Sequence, residues 1–159
     1  MIRALSLLMG LLLCACAEAP PVVQPITYNH KAHIDSGLAC DACHQSVEKA
    51  AAASVPTRET CMMCHQGTIT DSPEEEKVRQ YAEKGEEIPW RRIYQVPEHV
   101  YFSHRRHVTA AGVECVQCHG AVASLTTPPS HPLVKQSMDW CLACHRARGA
   151  TQDCIHCHR

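Results

Sequence analysis

The sequence of 159 residues has few of the large apolar side chains that fill the interior of a globular protein. It contains one Phe, two Trp and four Tyr, and Leu, Ile, Val and Phe together make up about one residue in five. Such a composition is typical of disordered chains, because the apolar surface available for burial cannot offset the loss of conformational entropy. A folded chain of this composition must therefore obtain most of its core from something other than its side chains.

An excess of charge of either sign is also absent. The 15 Lys and Arg residues nearly balance the 16 Asp and Glu residues, and the formal net charge is −1. A domain that binds nucleic acid through its phosphates carries a strongly basic surface, so this composition excludes that class of protein. We therefore expect no nucleic-acid partner.

The sequence lacks an apolar run long enough to cross a membrane. The run Leu5–Leu13 is about nine residues long, and it follows Arg3 as the apolar region of a signal peptide follows its basic region. Leu13-Cys14-Ala15-Cys16 resembles the bacterial lipobox. We therefore predict a lipoprotein signal peptide at residues 1–15, a lipidated Cys16 and a Pro-rich tether at residues 16–27. Multiple acyl chains on Cys16 would attach the chain to a membrane on the periplasmic side. An ordinary secretory signal, which also exports the chain, is the alternative.

Cysteine and histidine, by contrast, are abundant, with twelve residues of each. Ten cysteines form five Cys-x-x-Cys-His motifs, the pattern of covalent haem c attachment. Two thiols at this spacing bond to the two vinyl groups of one porphyrin, and the next residue presents its imidazole to the iron. Tetrahedral zinc sites and disulfides also use paired cysteines, but neither explains a His after every pair. The sequence therefore predicts five covalently bound haem c groups.

The predicted haem attachment residues are Cys40, Cys43, Cys61, Cys64, Cys115, Cys118, Cys141, Cys144, Cys154 and Cys157. The predicted proximal iron ligands are His44, His65, His119, His145 and His158.

The sequence also contains an internal repeat. Tyr28-Asn29-His30-Lys31-Ala32-His33 recurs 74 residues later as Phe102-Ser103-His104-Arg105-Arg106-His107, and two attachment motifs follow each copy. Such similarity indicates a repeated structural unit. We predict a first two-haem unit at residues 28–67, an acidic helical connector at 68–100, and a second unit with a fifth haem at 101–159. The expected fold is a compact multihaem cytochrome c, mostly irregular with short α-helices and almost no sheet.

The connector contains the clearest helix signal. Ser72 is predicted as the N-cap, Pro73 as the first helical residue, Glu75 as the partner in a capping box, and Gly85 as the end. The acidic face is either a solvated spacer or a docking surface for a basic partner. Another short helix is predicted within residues 47–54.

The second axial ligand of each iron decides the function. A strong ligand on the free face leaves only electron transfer, whereas an open face permits catalysis or gas binding. Each repeat supplies a His-x-x-His pair ahead of its attachment motifs, and such pairing is much stronger evidence than a lone His. The four predicted distal ligands are His30, His33, His104 and His107.

The fifth haem needs a distal ligand from outside the His-x-x-His pairs. Met138 is the predicted ligand, because it lies three residues before Cys141 and methionine is otherwise scarce after the signal peptide. His/Met ligation raises the potential of a haem above that of bis-His ligation. A core-filling role for Met138 remains open, and His99 and His131 are the alternative ligands.

Several of these stretches resemble known multihaem proteins. The His-x-x-His pairs ahead of closely spaced motifs resemble the small multihaem cytochromes of class III type. Residues 88–104, 137–146 and Cys61-Met62-Met63-Cys64-His65 more specifically resemble the pentahaem cytochrome c subunit of alternative complex III and its free-standing relatives. That family commonly has His at the position of Tyr94 and an aromatic residue at that of His99. These departures and the lipobox favour a free-standing relative.

The resemblance implies membrane-associated electron transfer from a quinol-oxidising respiratory partner to a downstream acceptor. On this reading the chain is an electron carrier rather than an enzyme, alone or within a larger respiratory oxidoreductase. It has redox proteins as partners and no small-molecule substrate. The alternative is a multihaem reductase with an open haem, although no Cys-x-x-Cys-Lys motif accompanies the five Cys-x-x-Cys-His motifs.

Replacing the predicted lipid acceptor should separate anchoring from haem loading. Because Cys16 lies outside every attachment motif, Cys16→Ser should block lipid attachment and leave the haem content unchanged. Metabolic labelling with a fatty acid and the haem absorbance measure the two properties. Normal lipid labelling of the variant would instead place the acceptor at Cys14.

Overall fold

The computed structural model describes residues 20–158, and within them the helices are short. Four of the seven α-helices have only four or five residues. The α-helices are α1 (His30–Asp35), α2 (Cys40–Cys43), α3 (Arg58–Met62), α4 (Pro73–Lys84), α5 (Cys115–His119), α6 (Met138–Ala147) and α7 (Cys154–Cys157). A π-helical turn (Arg106–Ala110) and a 3₁₀ turn (Val122–Ser124) complete the helical structure of this range. The predicted signal peptide and Cys16 lie outside the described residues.

Local capping fixes where several of these helices begin. The Asn29 side chain accepts a hydrogen bond from the Ala32 amide, Thr57 accepts from Thr60, and Ser137 accepts from Trp140. Helices shorter than about 12 residues are marginal in isolation, so caps and tertiary contacts must hold them. Each attachment motif begins in such a short helix, in α2, α3, α5, α6 or α7.

The predicted connector helix is confirmed as α4, with one correction. Ser72 is the N-cap, Pro73 is the first residue, and Gly85 ends the helix at a φ of 69°. The capping box does not form, because the Glu75 carboxylate accepts hydrogen bonds from Ile69 and Thr70. The Ser72 amide donates to the Thr70 hydroxyl instead.

The prediction of a helix within residues 47–54 is wrong, since the structure forms a series of turns there. The carbonyl oxygens of Ala50 and Ala51 accept hydrogen bonds from the amides of Arg105 and His104, in the second repeat. The Ser54 carbonyl accepts from His44 Nδ1 at 2.6 Å. Because these carbonyl groups accept hydrogen bonds from outside the segment, they do not accept the backbone hydrogen bonds that a helix would need.

Residues 20–158 contain no β-strand, and one isolated bridge joins Val100 to His158. The expected fold of short helices and irregular segments is therefore confirmed.

Only four apolar side chains in the described part of the chain are buried: Ile26, Val78, Ile88 and Val113. The first three form one cluster beneath α4, with Trp90 and Cys61 packed against it in part. Larger side chains such as Phe102 and Met63 are exposed by 36% and 64%. The side chains alone thus form a core far too small for a chain of this length.

No helix within residues 20–158 combines the length and the apolar character that a membrane crossing needs.

Because the side-chain core is so small, folding should depend on haem attachment. The chain exported in a host without cytochrome c maturation should lack the far-UV circular dichroism of α4 and α6 and be degraded rapidly by added protease. The matured protein from a competent host is the control. Cooperative thermal unfolding of a haem-free chain would contradict this expectation.

Candidate haem-binding sites

The two His-x-x-His segments adopt the same geometry around an aromatic ring. In the first repeat, Tyr28 meets His30 edge-on at 4.8 Å between ring centroids and stacks on His33 at 4.5 Å. In the second, Phe102 meets His104 edge-on at 4.9 Å and stacks on His107 at 4.6 Å. The sequence repeat is therefore also a repeat of side-chain geometry.

Backbone carbonyl groups orient three of these four imidazoles, whereas His30 Nδ1 is buried with no hydrogen-bond partner within residues 20–158. His33 Nδ1 lies 2.8 Å from the Asn29 carbonyl oxygen, and His107 Nδ1 lies 2.8 Å from that of Ser103. A ring that donates from Nδ1 presents the lone pair of Nε2, which is the form that binds a metal. His104 Nδ1 is likewise 3.0 Å from the Ala51 carbonyl oxygen.

Four of the five proximal histidines face a second imidazole across a short gap. The ring centroids are 6.1 Å apart for His33 and His65, and 6.4 Å for His104 and His119. They are 6.1 Å apart for His107 and His145, and 5.5 Å for His99 and His158. Imidazoles on opposite faces of one metal ion, with metal–nitrogen bonds of about 2 Å, have centroids about 6 Å apart. These pairs therefore fit the two axial positions of a haem iron.

His30 lies near the remaining proximal histidine, His44. Burial, followed by the proximity of His44 and then of His33, lowers the pKa of His30. Burial is also the main reason why the pKa values of His104 and His119 are lowered. A low pKa keeps an imidazole neutral, as a metal ligand must be.

The structure brings His99, one of the alternative ligands, to the fifth proximal histidine, His158. The Tyr101 amide donates to the Cys157 carbonyl at 2.8 Å, and the bridge between Val100 and His158 lies beside it. These contacts set the His99 ring against His158 with 20° between their planes. Met138 begins α6 with its side chain 61% exposed. The Nδ1 atom of His131 lies 3.1 Å from the hydroxyl oxygen of Ser130.

The attachment motifs follow one another in space in a fixed order. Thiols of different motifs lie near enough that one adds to the effect of burial in raising the pKa of the other, and five such pairs of neighbouring thiols link all five motifs. The interacting thiols are Cys61 with Cys43, Cys40 with Cys115, Cys118 with Cys141 and Cys144, and Cys141 with Cys157. The resulting series runs through the motifs that begin at Cys61, Cys40, Cys115, Cys141 and Cys154.

The alternative uses of the cysteines find no support in this arrangement. Within residues 20–158, none of the motif cysteines forms a disulfide. No three side chains of His, Cys, Asp or Glu converge there as a zinc site would require.

Tyr94 is a site residue whose role the sequence did not reveal. Its ring meets His119 edge-on at 4.5 Å. Its hydroxyl donates to the His119 carbonyl at 3.3 Å and accepts from the Leu133 amide at 2.9 Å. Tyr94 thereby ties this proximal histidine to the loop before α6. The sequence offered one indication, since Tyr94 occupies a position at which the pentahaem subunits that the chain resembles commonly have His.

Glu75 is a second site residue whose role the sequence did not reveal. Its side chain is buried, and its Oε2 lies 3.8 Å from His65 Nδ1. Burial raises the pKa of Glu75, but hydrogen bonds from Ile69 and Thr70, together with His65, outweigh burial and lower it to about 2. The carboxylate next to this proximal histidine is therefore ionised at neutral pH.

Repeated cysteine motifs, opposed imidazoles and a minimal apolar core together define a multihaem c-type cytochrome. A family model described as cytochrome c7 and related cytochrome c matches the chain twice, at residues 26–86 and 100–159. The chain belongs to this family, whose members are electron carriers with covalently bound haem c. Members of the family are typically exported to the periplasm.

The two matches confirm the predicted duplication and the resemblance to small multihaem cytochromes. The first match includes α4, so the acidic helix lies within the span of one family repeat. A search of curated proteins found no match.

Removing the Tyr94 hydroxyl should loosen the His119 site. Tyr94→Phe keeps the ring but leaves the Leu133 amide without its acceptor, so we expect a loss of about 1 kcal/mol in the free energy of unfolding. Thermal unfolding followed in the Soret band measures it. Tyr81→Phe is the matched control, since within residues 20–158 no hydrogen bond to the Tyr81 hydroxyl is found. Equal melting temperatures for the two variants would contradict the assigned role.

Proposed function

We propose that this protein is a pentahaem c-type cytochrome that transfers electrons between a membrane quinol-oxidising respiratory partner and a downstream acceptor. The observation that carries the proposal is that four of the five proximal histidines face a second imidazole at 5.5 to 6.4 Å between ring centroids, while His30 lies near the fifth, His44. When bound, each haem supplies a reversible one-electron couple. The number of haems follows from the five attachment motifs.

The proposed axial pairs follow the repeat. In each unit, the first His of the His-x-x-His pair serves the first attachment motif and the second His serves the second motif. The fifth pair is separate from the repeat and uses His99 in place of Met138. The five pairs are His30 with His44, His33 with His65, His104 with His119, His107 with His145, and His99 with His158.

A second imidazole on each iron excludes a substrate from the metal, which favours electron transfer over the alternative of a reductase. The carbonyl groups of Asn29, Ser103 and Ala51 hold the Nδ1 atoms of three proposed distal ligands. His44 and His145 donate similarly to Ser54 and Thr151, both at 2.6 Å. These bonds fix the ring orientations and increase the basicity of the ligating nitrogens.

The spatial series of motifs supports transfer over the length of the molecule. One end, at the Cys61 motif, packs against the cluster beneath α4. The other end is α7, in which Ile155 is 81% exposed. We infer that these ends are where redox partners exchange electrons with the protein.

The proposed setting is the periplasmic face of a membrane, with the chain held by lipid on Cys16 and a tether at residues 16–27. The units at 28–67 and 101–159 would carry the haems, joined by the connector at 68–100. The resemblance to the alternative complex III subunit supports a quinol-oxidising partner. The lipobox and the residues at positions 94 and 99 support a free-standing relative.

The proposal predicts five low-spin haems and identifies the ligand of the fifth. His99→Ala should leave one iron open, so one haem in five should become high-spin and bind carbon monoxide after reduction. Met138→Leu is the matched control and should remain fully low-spin. Absorption spectra with and without carbon monoxide, together with a pyridine haemochrome count, measure these properties.

Stoichiometric carbon monoxide binding to the unaltered protein would contradict the electron-transfer assignment and favour the reductase. A high-spin haem in Met138→Leu but not in His99→Ala would restore Met138 as the fifth ligand. A count below five would overturn the pentahaem assignment.

A further inference from the structure

The two repeats differ at the histidine of their second attachment motif. In the second repeat, His145 Nδ1 donates to the Thr151 carbonyl oxygen at 2.6 Å. In the first, His65 Nδ1 is buried and has no hydrogen-bond partner within residues 20–158. It faces Oε2 of Glu75 at 3.8 Å, too far for a hydrogen bond but close enough for strong electrostatic interaction.

The Glu75 carboxylate is held firmly in this position. Oε1 accepts from the amide and the hydroxyl of Thr70, at 2.9 and 2.7 Å, and Oε2 accepts from the Ile69 amide at 3.0 Å. The residue is only 7% exposed. Since three donors fix both oxygens, the charge cannot move away from His65 without breaking the start of α4.

Arg79 does not cancel this charge. Its guanidinium lies 3.5 Å from Glu75 Oε2 and 2.9 Å from Glu76 Oε2, so one cation is shared between two carboxylates. The group of three side chains retains a net negative charge, and Glu75 is the member nearest the proximal ligand.

We propose that Glu75 is a positioning residue that lowers the reduction potential of the haem held by Cys61, Cys64 and His65. This inference rests on the proposed function. A buried negative charge facing the proximal imidazole stabilises the more positive, ferric state of the iron. At the corresponding place in the second repeat, the neutral Thr151 carbonyl group lies beside His145 and adds no net charge.

The position of the His65 site indicates in which direction electrons would move through the molecule. The Cys61 motif is one end of the spatial series, and Glu75 belongs to the helix that packs against that end. A potential lowered by this charge at one end of the series favours electron flow from the α4 end toward α7. The α4 end is therefore the entry side.

Substitution of Glu75 by its neutral isostere tests the inference. Glu75→Gln should raise the equilibrium constant for reduction of one haem about tenfold, or about 59 mV for a one-electron couple. The other four potentials should change little. Spectroelectrochemical titration measures the potentials, and the paramagnetically shifted ring protons of His65 identify the haem that responds.

Two further variants distinguish the effect of the Glu75 charge from the effect of weakening α4. Glu83→Gln removes an equal charge further along α4, from an exposed side chain, and should leave all five potentials nearly unchanged. Thr70→Val removes a donor to Glu75 but retains the charge, so it should weaken α4 without raising the potential of the haem beside His65.

The inference is overturned if Glu75→Gln leaves the potentials unchanged while all five haems remain low-spin. It is also overturned if Thr70→Val or Glu83→Gln raises the same potential equally, since loosening of α4 or general surface charge would then be the cause. Neither result affects the proposed function, which fails only if the unaltered protein has an open haem or fewer than five haems.

Discussion

Pairs of imidazole rings held 5.5 to 6.4 Å apart are the interaction on which the rest of this structure depends. A chain with only four buried apolar side chains between residues 20 and 158 cannot be held together by its own hydrophobic contacts. In the proposed function, axial ligation and thioether bonds to haem supply the connections instead. Each pair joins segments distant in sequence, up to 59 residues apart for His99 and His158. The short helices then need only to place one cysteine pair and one histidine correctly.

The two repeats hold their histidines in nearly the same way, and the differences between the repeats distinguish one end of the molecule from the other. The rings of Tyr28 and Phe102 support their histidines in nearly identical ways. The segment between the repeats breaks the symmetry, because α4 brings a buried carboxylate to the His65 side of the first unit alone. Tyr94, from the same segment, supports His119 of the second unit. Two units with equivalent ligands thus have different electrostatic surroundings.

The sequence predicted the features that depend on local spacing. The attachment motifs, the His-x-x-His pairs and the start of α4 at Ser72 each involve residues within a few positions of one another. Val47–Ser54 was misjudged because its carbonyl groups bond to the second repeat, which local helix propensity cannot register. His99 was only an alternative to Met138, because its approach to His158 depends on a bridge that forms at the opposite end of the second unit. The role of Glu75 was hidden by its apparent place in a capping box.

The turns at residues 47–54 have a consequence for the evolution of the protein. They belong to the first unit, yet Ala51 holds both the amide and the ring of His104, and Glu48 accepts a hydrogen bond from Thr109. In return, Leu125 of the second unit accepts from Lys31 in α1. Each half therefore provides part of the scaffold of the other, and the halves cannot be exchanged or lost as independent modules. A one-residue deletion in the alanine run would displace the ring of His104, a proposed iron ligand more than fifty positions away. Selection on the second unit therefore constrains the length of a loop in the first.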